Sequence, residues 1–308
     1  MQALARYMMR GRVQAIGSIV SLALLSLLVS PLAIFTTAGV ALVTLVHGYR
    51  EGLKSLIVAT VVLTVFTGVA LNQTAIGMEL ALKFWLPAWF LASIVITKSS
   101  MSLAIVVAAT LSCLLVLGFY FFTDPAAHWY EVISKQLLPM LKEAGMEIQE
   151  GPEAEKLWQF MSKIMTGSAL ALFLALQTIS LLLARWWQAL LYNPGGFAQE
   201  FRQIRFGMVA ASIALVTTIF AITTVNEMVL NLFFIMIVLM MFQGLAVIHH
   251  LVAKCKLSPS LLIGVYVIML FTLQHGAVGL LFIALIGLLD NGLNLRFRLC
   301  TKVQDELN

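Results

Sequence analysis

The sequence contains little charge. Of its 308 residues, 11% are Asp, Glu, Lys or Arg and 61% are hydrophobic, whereas an average soluble domain is about 25% charged. The mean hydropathy is +0.98. A chain with so few charged residues cannot cover a water-exposed surface, so the composition excludes an ordinary soluble domain and predicts an integral membrane protein.

Motifs that carry chemistry are also missing. The sequence has no GxSxG, HExxH, P-loop or GxGxxG segment, and its three cysteines form no CxxC pair. The net charge of +5 arises from basic residues at the ends of apolar runs, where they report membrane orientation rather than nucleic-acid binding. We therefore predict a protein that is not an enzyme, with no cofactor, metal site or nucleic-acid partner.

Long apolar runs dominate the rest of the chain. A spanning helix needs about 20 residues to cross about 30 Å of hydrocarbon. Two of the apolar runs are too long for a single spanning helix: 13–46, which Ser30-Pro31 interrupts, and 257–289, which Gln274-His275-Gly276 interrupts. Each of these runs therefore predicts a helical hairpin. The other predicted spans are 55–71, 76–97, 101–123, 164–184, 206–226 and 228–248. The sequence thus predicts an all-α polytopic transmembrane helical bundle of about ten spans, or eight if the terminal hairpins are re-entrant, forming a single integral membrane domain over residues 1–308.

The distribution of charged residues between the two sides of the membrane predicts the orientation of this bundle. With ten crossings and the N-terminus in the cytoplasm, the inner segments hold fourteen basic and five acidic residues, and the outer segments five basic and nine acidic. This asymmetry follows the positive-inside rule. It predicts a multi-pass protein of a bacterial inner membrane with both termini in the cytoplasm and the lipid bilayer as its first partner.

One large segment, 124–163, is predicted to lie outside. Apolar residues recur there every three or four positions in two sets: Trp129, Ile133, Leu137 and Leu141, then Leu157, Phe160, Met161 and Ile164. This spacing predicts an external insertion of two short amphipathic helices. They either pack on the outer end of the bundle or bind an external partner.

Polar residues near the predicted outer ends of the spans suggest a small-molecule pocket, because polar groups are costly within a membrane. The candidate substrate-binding residues are Glu79, Lys83, Asn226, Glu227 and His275. The i, i+4 spacing of Glu79 and Lys83 predicts a helical ion pair. The alternative is that all five are wetted residues in the headgroup region, and the ligand is not specified.

The segment YNPGGFAQEFRQIRFG is the most distinctive on the predicted inner side. Arg185, Trp186 and Trp187 precede it as an interfacial anchor. Asn193, Pro194, Gly195 and Gly196 predict a turn, and an in-plane amphipathic helix completes a cytoplasmic element over 192–206. Arg202 and Arg205 are suited to lipid phosphates. We predict that these residues dock lipid or a partner protein.

Two stretches, ARWWQALLYNPGGFAQEFRQIR and GLLDNGLNLR, together with the external helices, resemble the YybS-like family of bacterial polytopic membrane proteins, a domain of unknown function (2232). That family is distantly similar to the substrate-binding (S) components of energy-coupling-factor transporters, which capture a solute outside and dock on a coupling subunit with ATPases. The sequence departs from that class in having more than six spans. The resemblance implies a solute-binding or transport subunit. The alternative is a non-catalytic membrane scaffold or interaction protein in envelope assembly.

Overall fold

A computed structural model describes residues 1–148, 151–224, 226–273 and 278–298 of the chain. Helices account for its regular structure, and the described residues contain no strand, which confirms the all-α class. In chain order the helices are α1 Gln2–Met8, α2 Arg12–Ser26, α3 Ala33–His47, α4 Tyr49–Leu71, α5 Ala75–Leu80, α6 Leu86–Lys98, α7 Met101–Phe122, α8 Pro125–Val132, α9 Leu138–Glu143, α10 Pro152–Tyr192, α11 Gly196–Arg202, α12 Gly207–Thr223, α13 Glu227–Lys254, α14 Ser260–Leu273 and α15 Val278–Leu293.

Each predicted span coincides with a helix. Six helical stretches are long and apolar enough to cross a membrane: Ser30–His47, Tyr49–Leu71, Ala75–Lys98, Met101–Phe122, Pro152–Tyr192 and Glu227–Lys254. The bent pair α11 and α12, at 53°, can supply a seventh, and α2, α14 and α15 are shorter apolar helices. A polytopic helical membrane protein is therefore confirmed, while the number of ten crossings remains a prediction.

The break predicted at Ser30-Pro31 is present. A 3₁₀ turn, Ser30–Leu32, separates α2 from α3, and the two helices pack against each other. The fixed φ of proline suits the first turn of a helix but not its interior. The second predicted break, at Gln274-His275-Gly276, lies outside the described residues.

Two compact units make up the described chain, with boundaries inside α7, inside α10 and between α11 and α12. The first comprises residues 1–108 and 175–205. Its central helix is α3, buried from Thr36 to Leu45 and packed against α2, α4 and α6. The indole of Trp85 is fully buried and donates to Thr36 Oγ1 at 2.8 Å. Small residues such as Gly39 and Ala41 let neighbouring helices approach this helix closely.

The second unit comprises residues 109–174 and 206–308. Its core is the contact of α13 with α15, where Gly244 and Gly287 bring the two backbones together. Beside them, the buried Gln243 accepts from the amide of Phe206 at 2.9 Å. It also donates to Asp290 at 3.2 Å. Gln243 therefore bonds α13 to α15 and to the residue before α12, an interhelical role that buried amide side chains often have in membrane proteins.

The external segment differs in part from its prediction. Its first apolar set lies on α8, a π-helical turn Ile133–Leu137 and α9. The second set does not form a short helix of its own, because α10 continues without a break for 41 residues. No proline follows Pro152 in this stretch, and proline is the residue that most reliably ends a helix. The second apolar set and the predicted span 164–184 therefore lie on one helix, and the limit of the external segment near residue 163 stays a prediction.

Candidate functional site

The segment after α10 forms the predicted turn. Gly195 has φ +87°, a left-handed conformation that glycine adopts without strain. A Cβ on Gly196 would lie 2.3 Å from the side-chain amide of Asn193, so the turn also needs the absence of a side chain there. The short helix α11 follows at once. The turn and the helix predicted within 192–206 are confirmed, while the docking role of this segment remains a prediction.

A charged clamp ties this turn to α10. The guanidinium of Arg185 donates through Nε to Glu200 Oε2 at 2.8 Å and through Nη2 to Glu200 Oε1. Its Nη1 donates to Gln188 Oε1, and the Gln188 amide donates to the carbonyl of Leu45 at 3.0 Å. The planar fork of arginine matches a carboxylate in this bidentate way. The clamp therefore fixes α11 against α10 within the first unit.

A polar cavity of about 450 Å³ opens beside the clamp. Its lining combines residues from α3, α6, α7, α10 and α11 with the connection between α6 and α7 and the residue after α11: Leu45, Val95, Ile96, Ser99, Ser100, Met101, Ser102, Arg185, Gln188, Glu200 and Gln203. The Ser102 hydroxyl accepts from the amide of Arg205 at 3.2 Å. Sequence reasoning identified Arg185 but missed the serines, which are distant in sequence and show no motif.

The two tryptophans before the turn differ in environment. Trp186 is partly exposed, whereas Trp187 is fully buried and stacks on Phe35 with ring centroids 6.2 Å apart. Trp187 therefore contributes to the core of the first unit, and its role as an interfacial anchor stays a prediction. Arg202 is half-buried and Arg205 is exposed, as lipid or partner contacts require.

The predicted outer pocket residues fall into different units. In the first unit, Lys83 and Glu79 form the predicted ion pair at 2.7 Å. In the second, the side chain of Asn226 accepts from Val229 N at 3.1 Å and caps α13. Glu227 pairs with Lys163 at 3.1 Å. His275 lies outside the described residues. The substrate-binding role of these residues remains a prediction.

A buried amide organises the outer part of the second unit. Asn231 is fully buried, and its two N–H donors are shared among three acceptors: the carbonyl oxygens of Lys163 and Glu227, each at 2.7 Å, and the Tyr120 hydroxyl at 3.0 Å. Its Oδ1 accepts from the amide of Gly167. A Cβ on Gly167 would lie 2.4 Å from the Asn231 backbone. This network holds α7, α10 and α13 in fixed register.

Close to this network is an apolar groove of about 590 Å³. Its lining comes from α7, α8 and α10: Leu114, Leu115, Gly118, Phe119, Phe122, Trp129, Thr166, Ala169 and Leu170. The Trp129 indole donates to Thr166 Oγ1 at 2.8 Å, so the two polar groups of the lining satisfy each other. His128 contacts both Phe119 and Trp129, each at 5.6 Å between ring centroids. The groove therefore offers hydrocarbon surface with a rigid aromatic edge.

The described residues contain no group of three or more His, Cys, Asp or Glu side chains arranged to hold a metal ion. One carboxylate is nevertheless deeply buried. Asp290 is 1% exposed and pairs with Arg296 at 3.1 Å. Its neighbour Gln243 donates to the same carboxylate.

These features define the class of the protein as a polytopic, all-helical integral membrane protein. Residues 18–291 match the family described as Predicted membrane protein (DUF2232), and the chain belongs to that family. The predicted resemblance to domain of unknown function 2232 is thereby confirmed. No curated protein and no solved structure matches the chain, so the similarity to transporter S components remains a prediction.

Proposed function

We propose that the protein is a non-catalytic solute-binding subunit of a membrane transport system, of the kind that the S-component similarity implies. The observation that supports this most directly is the apolar groove between α7, α8 and α10. By the predicted orientation it lies toward the outside, where such a subunit captures its solute. Its volume of about 590 Å³ is within the range of ligand pockets, about 300–1,000 Å³.

The lining of the groove defines the class of solute. Thr166 and Trp129 bond to each other, and the other lining side chains are apolar. A charged or hydroxyl-rich solute would lose its water there without gaining hydrogen bonds. The part of the solute held in the groove is therefore a hydrocarbon chain or ring.

The groove is supported from several sides, as a binding site must be. Next to it the Asn231 amide links α10 to α7 and α13. The Tyr130 hydroxyl donates to Glu155 and joins α8 to the start of α10. Such preformed walls reduce the entropy lost on binding.

Filling the groove tests the proposal. A Cβ on Gly118 meets no atom within 4 Å, so Gly118→Phe places a ring into the groove without a backbone clash. Gly264→Phe is the matched control, because Gly264 is also an unobstructed helical glycine of the second unit and does not line the groove. Native mass spectrometry of the purified full chain should detect an apolar compound on the wild type and on the control but not on Gly118→Phe. Equal retention by all three proteins, or no bound compound on any of them, would reject the proposal.

A second candidate is the membrane scaffold, and the length of α10 favours it. At 1.5 Å per residue, its 41 residues extend about 60 Å, roughly twice the hydrocarbon thickness of a bilayer. Helix outside the bilayer is available to partner proteins. In vivo cross-linking with mass spectrometry separates the two functions: ATPase and coupling subunits identify a transport subunit, and envelope proteins identify a scaffold.

A further inference from the structure

The polar cavity beside the Arg185–Glu200 clamp supports an inference independent of the apolar groove. It lies within the first unit, on the predicted inner side, and its lining is mostly polar. Three of the lining residues are the aliphatic Leu45, Val95 and Ile96. A site of this composition at the edge of a membrane suits a small polar group attached to an apolar one.

The Arg185 guanidinium in this cavity has unused hydrogen-bond donors. It carries five N–H donors. Glu200 receives two of them and Gln188 one, which leaves one N–H on each terminal nitrogen of Arg185. Two donors on adjacent nitrogens match two oxygens of a phosphate or carboxylate.

The Glu200 carboxylate of the clamp also has unused hydrogen-bond acceptor sites. A carboxylate has about four acceptor sites, and Arg185 occupies one on each oxygen of Glu200. The remaining sites carry negative charge toward a cavity that also contains an arginine. A bare anion would be repelled by Glu200, and a bare cation by Arg185, so a ligand carrying both signs matches the lining best.

Neutral donors complete the site. Within the described part of the chain the side chains of Ser99 and Gln203 make no hydrogen bond, and both are exposed at the cavity. Ser99 ends α6 with φ +50°, the left-handed conformation in which many helices end, and it lines the cavity directly after this helix.

We propose that this cavity binds a phosphate–ammonium zwitterion, the phosphoethanolamine group. Its phosphate oxygens accept from Arg185, and its ammonium donates to Glu200. The group can come from the headgroup of phosphatidylethanolamine or from free phosphoethanolamine. In the lipid case, Leu45, Val95 and Ile96 contact the glycerol and the first carbons of the acyl chains.

Headgroup chemistry provides the test. The purified full chain, stripped of lipid in detergent, is titrated with phosphatidylethanolamine, phosphatidylcholine or phosphatidylglycerol, and bound lipid is counted by native mass spectrometry. Phosphatidylcholine lacks ammonium N–H donors, and phosphatidylglycerol lacks the cation, so we expect about tenfold weaker binding of both, the equivalent of one hydrogen-bonded charge contact of about 1.4 kcal/mol. Equal binding of the three lipids would overturn the proposal.

Variants locate the binding in the cavity. Arg185→Lys keeps the charge and its pairing with Glu200 but removes the fork, and should reduce phosphatidylethanolamine binding about tenfold. Arg50→Lys is the matched control, since Arg50 belongs to the same unit and does not line the cavity. If Arg185→Lys does not fold, Ser99→Gly serves instead, because glycine accepts the positive φ and the change removes the CH₂OH group, including its hydroxyl. It should weaken binding severalfold. Unchanged headgroup preference in these variants would overturn the assignment.

Competition by free phosphoethanolamine distinguishes the two sources. Displacement of the lipid at millimolar concentration identifies a soluble ligand, and retention of the lipid identifies the headgroup. Both results support the zwitterion site, whereas loss of binding in the Arg50→Lys control alone would place the site elsewhere.

Discussion

The contact between α13 and α15 yields a prediction whose sign and size both follow from the structure. A Cβ on Gly244 would lie 1.9 Å from the carbonyl oxygen of Ile283. One on Gly287 would lie 2.1 Å from the carbonyl oxygen of Met240. Both obstacles are backbone atoms and cannot rotate away, so a methyl group at either position forces the two helices apart.

The magnitude combines two opposing effects. Overpacking a close contact costs typically about 1–3 kcal/mol, and the rigid backbone obstacle argues for the upper end of that range. Alanine recovers about 1 kcal/mol of helix propensity relative to glycine. Gly244→Ala should therefore lower the free energy of unfolding by roughly 2 kcal/mol. Gly264→Ala, where a Cβ meets nothing within 4 Å, should raise it by up to about 1 kcal/mol.

The assay is reversible unfolding of the purified protein in mixed micelles, with an SDS titration followed by far-ultraviolet circular dichroism. The double variant Gly244→Ala/Gly287→Ala should cost less than the two single changes together, because the first methyl already separates the helices. If Gly244→Ala proves as stable as the wild type, or gains stability as the Gly264 control does, then α13 and α15 do not approach at these glycines and the argument fails.

Two further predictions concern charge. Asp290→Asn should destabilise the protein by roughly 3 kcal/mol, because it leaves Arg296 without its buried carboxylate partner. Glu79→Gln breaks an exposed ion pair and should cost under about 0.5 kcal/mol. Equal losses of stability in the same SDS titration would contradict the burial of Asp290. At α8 the hydrogen bond from Lys135 lowers the pKa of Glu131, so the small stabilisation by this pair is complete above the usual carboxyl pKa and is lost as pH falls through the lowered pKa. An NMR titration of the Glu131 carboxyl should show the low value in the wild type and a higher one in Lys135→Met, and identical titrations would show that Lys135 is not the cause.

Features governed by local chemistry were predictable. The break at Ser30-Pro31 follows from the geometry of proline. The turn at Asn193 to Gly196 follows from the freedom of glycine to adopt positive φ, and the Glu79–Lys83 pair follows from helical spacing. Each of these features depends on residues no more than four positions apart, so the local sequence is sufficient to predict it.

Features governed by packing were not predictable. Trp187 looks like its neighbour Trp186 in sequence, yet one indole is buried on Phe35 and the other is partly exposed. Gly167 of α10 packs against Asn231 of α13, although the two residues are 64 positions apart. A helix that is apolar on nearly every side carries no signal for which side meets a neighbour.

The class of the protein, its division into apolar helices and the position of its turns can be read from the sequence, because charge density, proline and glycine act on the chain locally. The family assignment over residues 18–291 has the same origin. Which side chains share a site depends instead on how the helices pack. One cavity is lined by Arg185, Glu200 and Ser99, and one groove by Gly118, Trp129 and Leu170. Helix packing brings these residues together from separate helices. The apolar composition of a membrane helix does not specify which helices will be its neighbours.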